Sequence, residues 1–197
     1  HLAKGLYSRN PKSQEQIVDY YVADSKGVIV GEYLLSNKGF ATRMTEYTQI
    51  LSRNLSEDQK KIGNITVEKV NIDLNEDSIP VIETLEILQN YNKISNIDKN
   101  RFLVYMRAFA ECYSDEVTKY VIEHRKYKKS TIAFLERILT WYGIENSLNQ
   151  YISPLSEYKI PSIDDLRASL PSEMKGHLIR YAEELKKIYK GNLDKII

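Results

Sequence analysis

One cysteine and three histidines stand in 197 residues, and each scarcity closes a route. With Cys112 alone, no disulfide forms within the chain, which fits a reducing cytoplasm. His1, His124 and His177 are scattered and include no His-x-x-x-His pair, so histidine and cysteine supply no metal-binding set. Neither G-x-G-x-x-G nor Gly-Lys-Ser/Thr occurs, which excludes the common phosphate-binding loops. No apolar run approaches the length that spans a bilayer, and the opening residues do not read as a signal peptide. Neither sign of charge prevails: Lys and Arg total 28 against 27 Asp and Glu, so any basic surface is a local patch. What is present is apolar material, 42% of the chain, enough for a real core and too much for wholesale disorder. Fifteen tyrosines, with many Ile, Lys and Asn, match the codon bias of an AT-rich genome.

The pattern changes near residue 77. Before it, short helices and strands alternate. Ser13-Gln14-Glu15-Gln16 opens a helix with Ile17, Tyr20 and Tyr21 at helical spacing, and Gly27 breaks it. Val28-Ile29-Val30 reads as a buried strand, Gly31 to Lys38 as a helix stopped by Gly39, and Tyr47 to Leu51 as a second strand. In "ITVEKVNIDL" the apolar positions Ile65 and Val67 resume at Val70, Ile72 and Leu74. That shift of parity predicts a bulge or bend.

After Asp77 nearly everything is helical. Ser78 caps a helix with Pro80 in its first turn and Ile82, Leu85 and Leu88 inward. Asp98 precedes the stripe Phe102, Tyr105, Met106, Phe109 and Tyr113, and Ser114 precedes Val117, Tyr120 and Val121. Phe134, Leu135, Ile138, Leu139 and Tyr142 form another stripe that stops at Gly143. Ser162 and Asp165 fit a serine-first cap with an acid at the third helical position. In a last helix from Ser172 to Lys190, Met174, Leu178, Tyr181, Leu185 and Ile188 step in a heptad-like rhythm suited to a partner helix, most simply an internal one. The fold class is α+β: a small N-terminal mixed sheet and a predominantly helical C-terminal half, with no internal repeat.

No catalytic set emerges. The carboxylate pairs Glu57-Asp58, Glu76-Asp77, Asp164-Asp165 and Glu183-Glu184 are adjacent in sequence, so their side chains diverge. Cys112 beside an apolar stripe is a small hydrophobe, and His124 is an edge residue with no nucleophile to serve. One stretch is unusually charged. "EHRKYKKS" gathers Arg125, Lys126, Lys128 and Lys129 around Tyr127, between two helices. Taken alone it is a solvated helix end, exposed and active only through its charge. Its functional alternative is a phosphate-binding patch.

Three stretches resemble a known family. "KGLYSR" is similar to the basic-Gly-aromatic end of a winged-helix domain, and "GVIVGEYLLSNKGFATRM" to the strand, Gly-acid, helix and Leu-Ser-Asn-x-Gly segment that follows it. "RNLSEDQKKIGNITVEKV" resembles the basic strand region after that. The order, over residues 4 to 75, resembles the AbiEi-type antitoxins of type IV toxin–antitoxin (abortive infection) systems. The resemblance implies a bacterial, cytoplasmic, non-enzymatic protein without cofactors. Such a protein represses its own operon through an N-terminal winged helix and counters a nucleotidyltransferase toxin without a stable complex.

On this expectation residues 1–11 are the tail of a winged-helix domain that is largely missing. Residues 12–197 are the antitoxin C-terminal domain, divided into an α/β part (12–77) and a helical part (78–197). Operator DNA is then contacted mainly through that missing domain. Lys4 and Arg9 match the basic positions flanking the wing's end, and they join Arg125, Lys126, Lys128 and Lys129 as DNA-contact candidates. The chain alone is expected to bind its promoter weakly and without sequence preference, since a wing stub touches phosphates but reads no bases. The competing expectation is a helical protein-interaction module of unrelated ancestry.

Overall fold

The computed structural model describes residues 13–41, 45–93, 96–167 and 176–189. The expected winged-domain tail at residues 1–11, with Lys4 and Arg9, lies outside them. Helix α1 (Gln14–Val22) begins at a reciprocal cap: the Ser13 hydroxyl accepts from the Gln16 N–H at 3.3 Å, and the Gln16 side chain accepts from the Ser13 N–H at 3.2 Å. Strand β1 (Gly27–Val30) leads through Gly31 into α2 (Glu32–Asn37), which ends where Gly39 takes φ 75°. Strands β2 (Thr48–Ser52), β3 (Gln59–Ile62) and β4 (Ile65–Lys69) complete a four-stranded sheet in the order β1-β2-β4-β3. The sheet is mixed: β2 and β4 run parallel, and the other two pairings are antiparallel.

Two helical layers sandwich this sheet. Ile50, Ile65 and Val67 turn to one face, where Ile17 and Tyr21 of α1 cover them in a small apolar cluster. Val28, Val30 and Leu51 turn to the other face and join the main core. This division explains the shift of parity in 65–74. The expected bulge is not there: β4 pairs with β2 without interruption to Lys69, and the Val70 N–H still donates to the Ser52 carbonyl at 3.1 Å. Val70 simply shares the face of Glu68, opposite Val67, and with Ile72 and Leu74 it joins the main core.

One other expectation needs correction. Tyr47 lies before β2 and is 64% exposed, because the strand starts at the buried Thr48. The β3 segment Gln59-Lys60-Lys61-Ile62 has a single apolar residue and no period of its own, and only the resemblance places a strand region there. It is an edge strand, where lysines are tolerated and discourage pairing with other chains.

The helical half comprises α3 (Ser78–Asn90), α4 (Lys99–Glu111), α5 (Asp115–His124), α6 (Lys129–Trp141), α7 (Ile163–Arg167) and α8 (Gly176–Ile188). Asp98, Ser114 and Ser162 cap as expected, accepting from the N–H groups of Arg101, Val117 and Asp165. Ser78 does not. It lies inside the first turn of α3, its hydroxyl donates to the Asp73 carbonyl at 2.6 Å, and the Asn75 side chain accepts from the N–H groups of Asp77 and Ser78. Asp115, in the first turn of α5, accepts from the Ser147 hydroxyl (2.6 Å), the Ser147 N–H (2.9 Å) and the Tyr113 hydroxyl (2.8 Å). Desolvation would raise its carboxyl, but these bonds outweigh it and hold the group at about 2. The bonds stabilise the fold above the ordinary aspartate range and fade as pH falls towards that value.

One apolar cluster runs from Val28 in β1 to Tyr189 beyond α8, so the α/β and helical parts share a core. Helix α8 docks on α4, as an internal seam requires. Leu178, Ala182, Leu185 and Tyr189 are the buried positions, while Ile188 is 61% exposed and Met174 lies outside the described residues. Tyr189 replaces Ile188 because a straight helix at about 3.6 residues per turn drifts off a heptad stripe. Among the described residues, no helix is long and apolar enough to cross a membrane.

Candidate functional site

The basic segment links α5 to α6 and is held at both ends by one face of α3. Glu86 and Gln89 lie three residues apart on that helix, hence on the same side. Arg125 leaves α5 with extended backbone (φ −139°, ψ 129°), which carries its guanidinium back over α3. Its Nε and Nη2 donate to Oε1 of Glu86 at 3.3 and 3.2 Å, and its Nη1 donates to Glu68 of β4 at 3.0 Å. Glu68 alternates with Val67 along the strand, so it faces the helical side where Arg125 can reach it. Further along, the Lys128 N–H donates to the Gln89 side chain at 3.2 Å. Between these anchors Tyr127 places its ring 5.8 Å from the Arg125 guanidinium carbon.

This arrangement corrects the expectation that the whole segment is exposed. The Arg125 side chain is 19% exposed and Glu86 5%, so the pair is part of the interior. Desolvation pushes the Glu86 carboxyl above the usual carboxylate range, and the Arg125 charge recovers only part of that shift. For Arg125 burial works against the charge, but Glu86, Tyr127 and Glu68 outweigh it and the guanidinium is held more firmly protonated. Burial likewise raises the Tyr127 phenol. Long-range pairing decided Arg125's role, and no local feature of "EHRKYKKS" announced it.

Lys126, Lys128 and Lys129 remain exposed, and among the described residues no ion pair engages them. Lys128 caps α6 with its backbone, Lys129 begins the helix, and the first turn has no acid to offset the dipole. Cations at a helix N-terminus are unfavourable by a few tenths of a kcal/mol each, so the concentration of positive charge here is not a device for stability. Replacing all three lysines with Ala should shift stability by no more than about 0.5 kcal/mol per site, measured by urea denaturation. If the patch meets nucleic acid, the same variant should lower the slope of log affinity against log salt by roughly 2–3. An unchanged slope would leave the lysines as a solvated face.

The remaining candidates are placed plainly. Among the described residues, no group of three or more His, Cys, Asp or Glu side chains is arranged to hold a metal. Glu57 pairs with Lys60 at 3.5 Å, Asp77 precedes α3, and Asp164 and Asp165 are exposed in the first turn of α7. His124 is exposed and donates from Nδ1 to the Tyr120 carbonyl at 2.8 Å. Cys112 caps the end of α4 against the core, and burial raises its thiol.

With this geometry in place, comparison with known proteins adds no relative: no family model, curated protein or solved structure matches the chain.

Proposed function

We propose that the protein is an antitoxin and transcriptional autoregulator of the AbiEi type, a bacterial cytoplasmic protein that counters a nucleotidyltransferase toxin without catalysis of its own. The observation that carries this reading is the unit at residues 27–41. The stretch that resembles the family in its strand, Gly-acid, helix and Leu-Ser-Asn-x-Gly order folds as β1, Gly31, α2 and the turn at Gly39. Those residues sit at the junction of sheet and helices, since Val28, Val30, Leu34, Leu35 and Phe40 all join the main core. A family built on this unit would need each of these positions. In this reading the exposed Lys126, Lys128 and Lys129 add phosphate contacts that strengthen binding to operator DNA without specifying sequence.

The deciding experiment is co-expression with the nucleotidyltransferase encoded beside this gene in its native operon. Growth should recover when the full chain is present, with no stable complex on co-purification. A folded chain that fails to restore growth would sink the proposal. Rescue through a stoichiometric complex would instead favour a protein-interaction module.

A further inference from the structure

Beneath the lysine loop two carboxylates share one guanidinium. Arg125 gives Nε and Nη2 to Oε1 of Glu86 and Nη1 to Oε1 of Glu68. With all three side chains ionised, a surplus of one negative charge remains. Glu68 is 50% exposed and keeps much of its hydration, whereas Glu86 is 5% exposed. The surplus therefore weighs on Glu86, where the medium solvates it least.

The geometry leaves a place for a proton. Both bonds from Arg125 to Glu86 end on Oε1, and among the described residues no hydrogen bond engages Oε2. A proton on Oε2 keeps Oε1 as an acceptor, so Arg125 stays where it is. The Asn90 amide donates to the Glu86 backbone carbonyl at 2.8 Å and leaves the carboxyl alone. Beyond the triad, the charged and titratable groups around Glu86 are the exposed Lys93, which follows α3, and Tyr127 in the linker. Burial acts most strongly on the Glu86 carboxyl and raises it. Arg125 opposes that shift, Glu68 adds to it and Lys93 opposes it least.

The exposed lysines sit directly on this charge. Lys126 follows Arg125 in the chain, and the Lys128 N–H is bonded to Gln89, on the same face of α3 as Glu86. Across the roughly 10 Å that a few residues span near a surface, one unit charge changes the affinity for a phosphate about three- to tenfold.

We propose that the Glu68–Arg125–Glu86 triad is a proton-linked control on phosphate binding by Lys126, Lys128 and Lys129. A proton taken up at Oε2 of Glu86 removes the surplus negative charge under the loop, and the lysines then hold a phosphate backbone more tightly. The coupling is reciprocal, so a bound polyanion draws the proton on. Affinity is greatest below the pH at which Glu86 titrates and falls as pH rises through it. This inference rests on the phosphate contacts assigned to the lysines under the antitoxin reading, and adds their regulation.

The test is binding of a short DNA duplex of random sequence to the full chain, read by fluorescence anisotropy at constant salt. The pH runs from neutral down to the upper edge of the ordinary carboxylate range. Every protein carries His124→Gln, which removes the exposed imidazole beside the loop, another group that gains charge in acid. The chain with its triad intact should bind about three- to tenfold more tightly at the acid end. Glu86→Gln, neutral at every pH, should bind at neutral pH as tightly as the intact triad does in acid, with little slope against pH. A second measurement follows the Glu86 carboxyl carbon by NMR. Its titration midpoint should rise when duplex is added, and should not rise when Lys126, Lys128 and Lys129 are all replaced with Ala.

The proposal is overturned if Glu86→Gln keeps the pH slope or binds more weakly, if duplex leaves the Glu86 midpoint unmoved, or if the intact triad binds no duplex at any pH. The last result would also remove the lysine contacts from the antitoxin reading, whereas binding without the Glu86 link would leave them standing. Growth rescue reads the antitoxin activity separately.

Discussion

Replacing Arg125 with Ala should destabilise the protein by about 2–4 kcal/mol, far more than any of the three neighbouring lysines. The reason is what it leaves behind. Glu86 is 5% exposed, and Arg125 provides the guanidinium bonded to it. Without that partner a buried carboxylate must stay charged in a poor medium or take up a proton. Protonation limits the loss, which is why the expected value starts below the roughly 3–5 kcal/mol of a broken buried pair.

The double variant Arg125→Ala/Glu86→Gln should recover more than half of the stability, because a neutral amide in the same volume needs no counter-charge. Acidity should modulate the effect in a defined direction. The Glu86 carboxyl already titrates above its ordinary value in the folded state, so its contribution is fully present below that value and is lost as pH rises through the raised one. Removing Arg125 raises it further. The penalty should therefore be smallest in acid and grow towards neutral pH in urea denaturation curves. A penalty independent of pH, or no recovery in the double variant, would mean that Glu86 is not the group left stranded.

Leu185→Asp should be still more damaging. Leu185 is 2% exposed in the face of α8 that docks on α4. The substitution removes a buried aliphatic side chain and puts a charge in its place, a combination worth at least about 4 kcal/mol. For a chain of this length the melting temperature should fall by on the order of 10 °C or more. The loss should include the neighbours of α8: Tyr189 lies edge-on to Tyr105 with centroids 6.1 Å apart, and the Arg101 guanidinium sits over the Tyr181 ring at 5.3 Å. Hydrogen exchange should then show α4 losing protection together with α8. Ile188→Asp is the matched control, the next position along the expected stripe, three residues on but 61% exposed, and it should change little. Equal effects at the two positions would show that the helix docks by the heptad face after all.

That contrast marks the border between what the residues determine locally and what the assembled fold decides. Helix starts were legible because a cap is a local transaction: Asp98, Ser114 and Ser162 each bond an N–H three residues on, and the choice needs no distant partner. Strands β1 and β2 were legible because their apolar runs are buried whatever covers them.

The rest required tertiary structure. Gln59–Ile62 became a strand because β4 offered it an edge, not through any preference of its two lysines. Val70, Ile72 and Leu74 are apolar on the opposite parity to Ile65 and Val67 because a second apolar cluster lies on the other face. Arg125 was indistinguishable from Lys126 in sequence, and its partners lie 39 and 57 residues away in Glu86 and Glu68. Tyr21 announced only a helical face, and it is 1% exposed because Leu55 from the loop after β2 joins it in the small apolar cluster. Periodicity and capping are written within a few residues, where sterics and hydrogen bonding act directly. Burial, ion pairing and pockets depend on which distant surfaces meet, and only the folded chain brings those together.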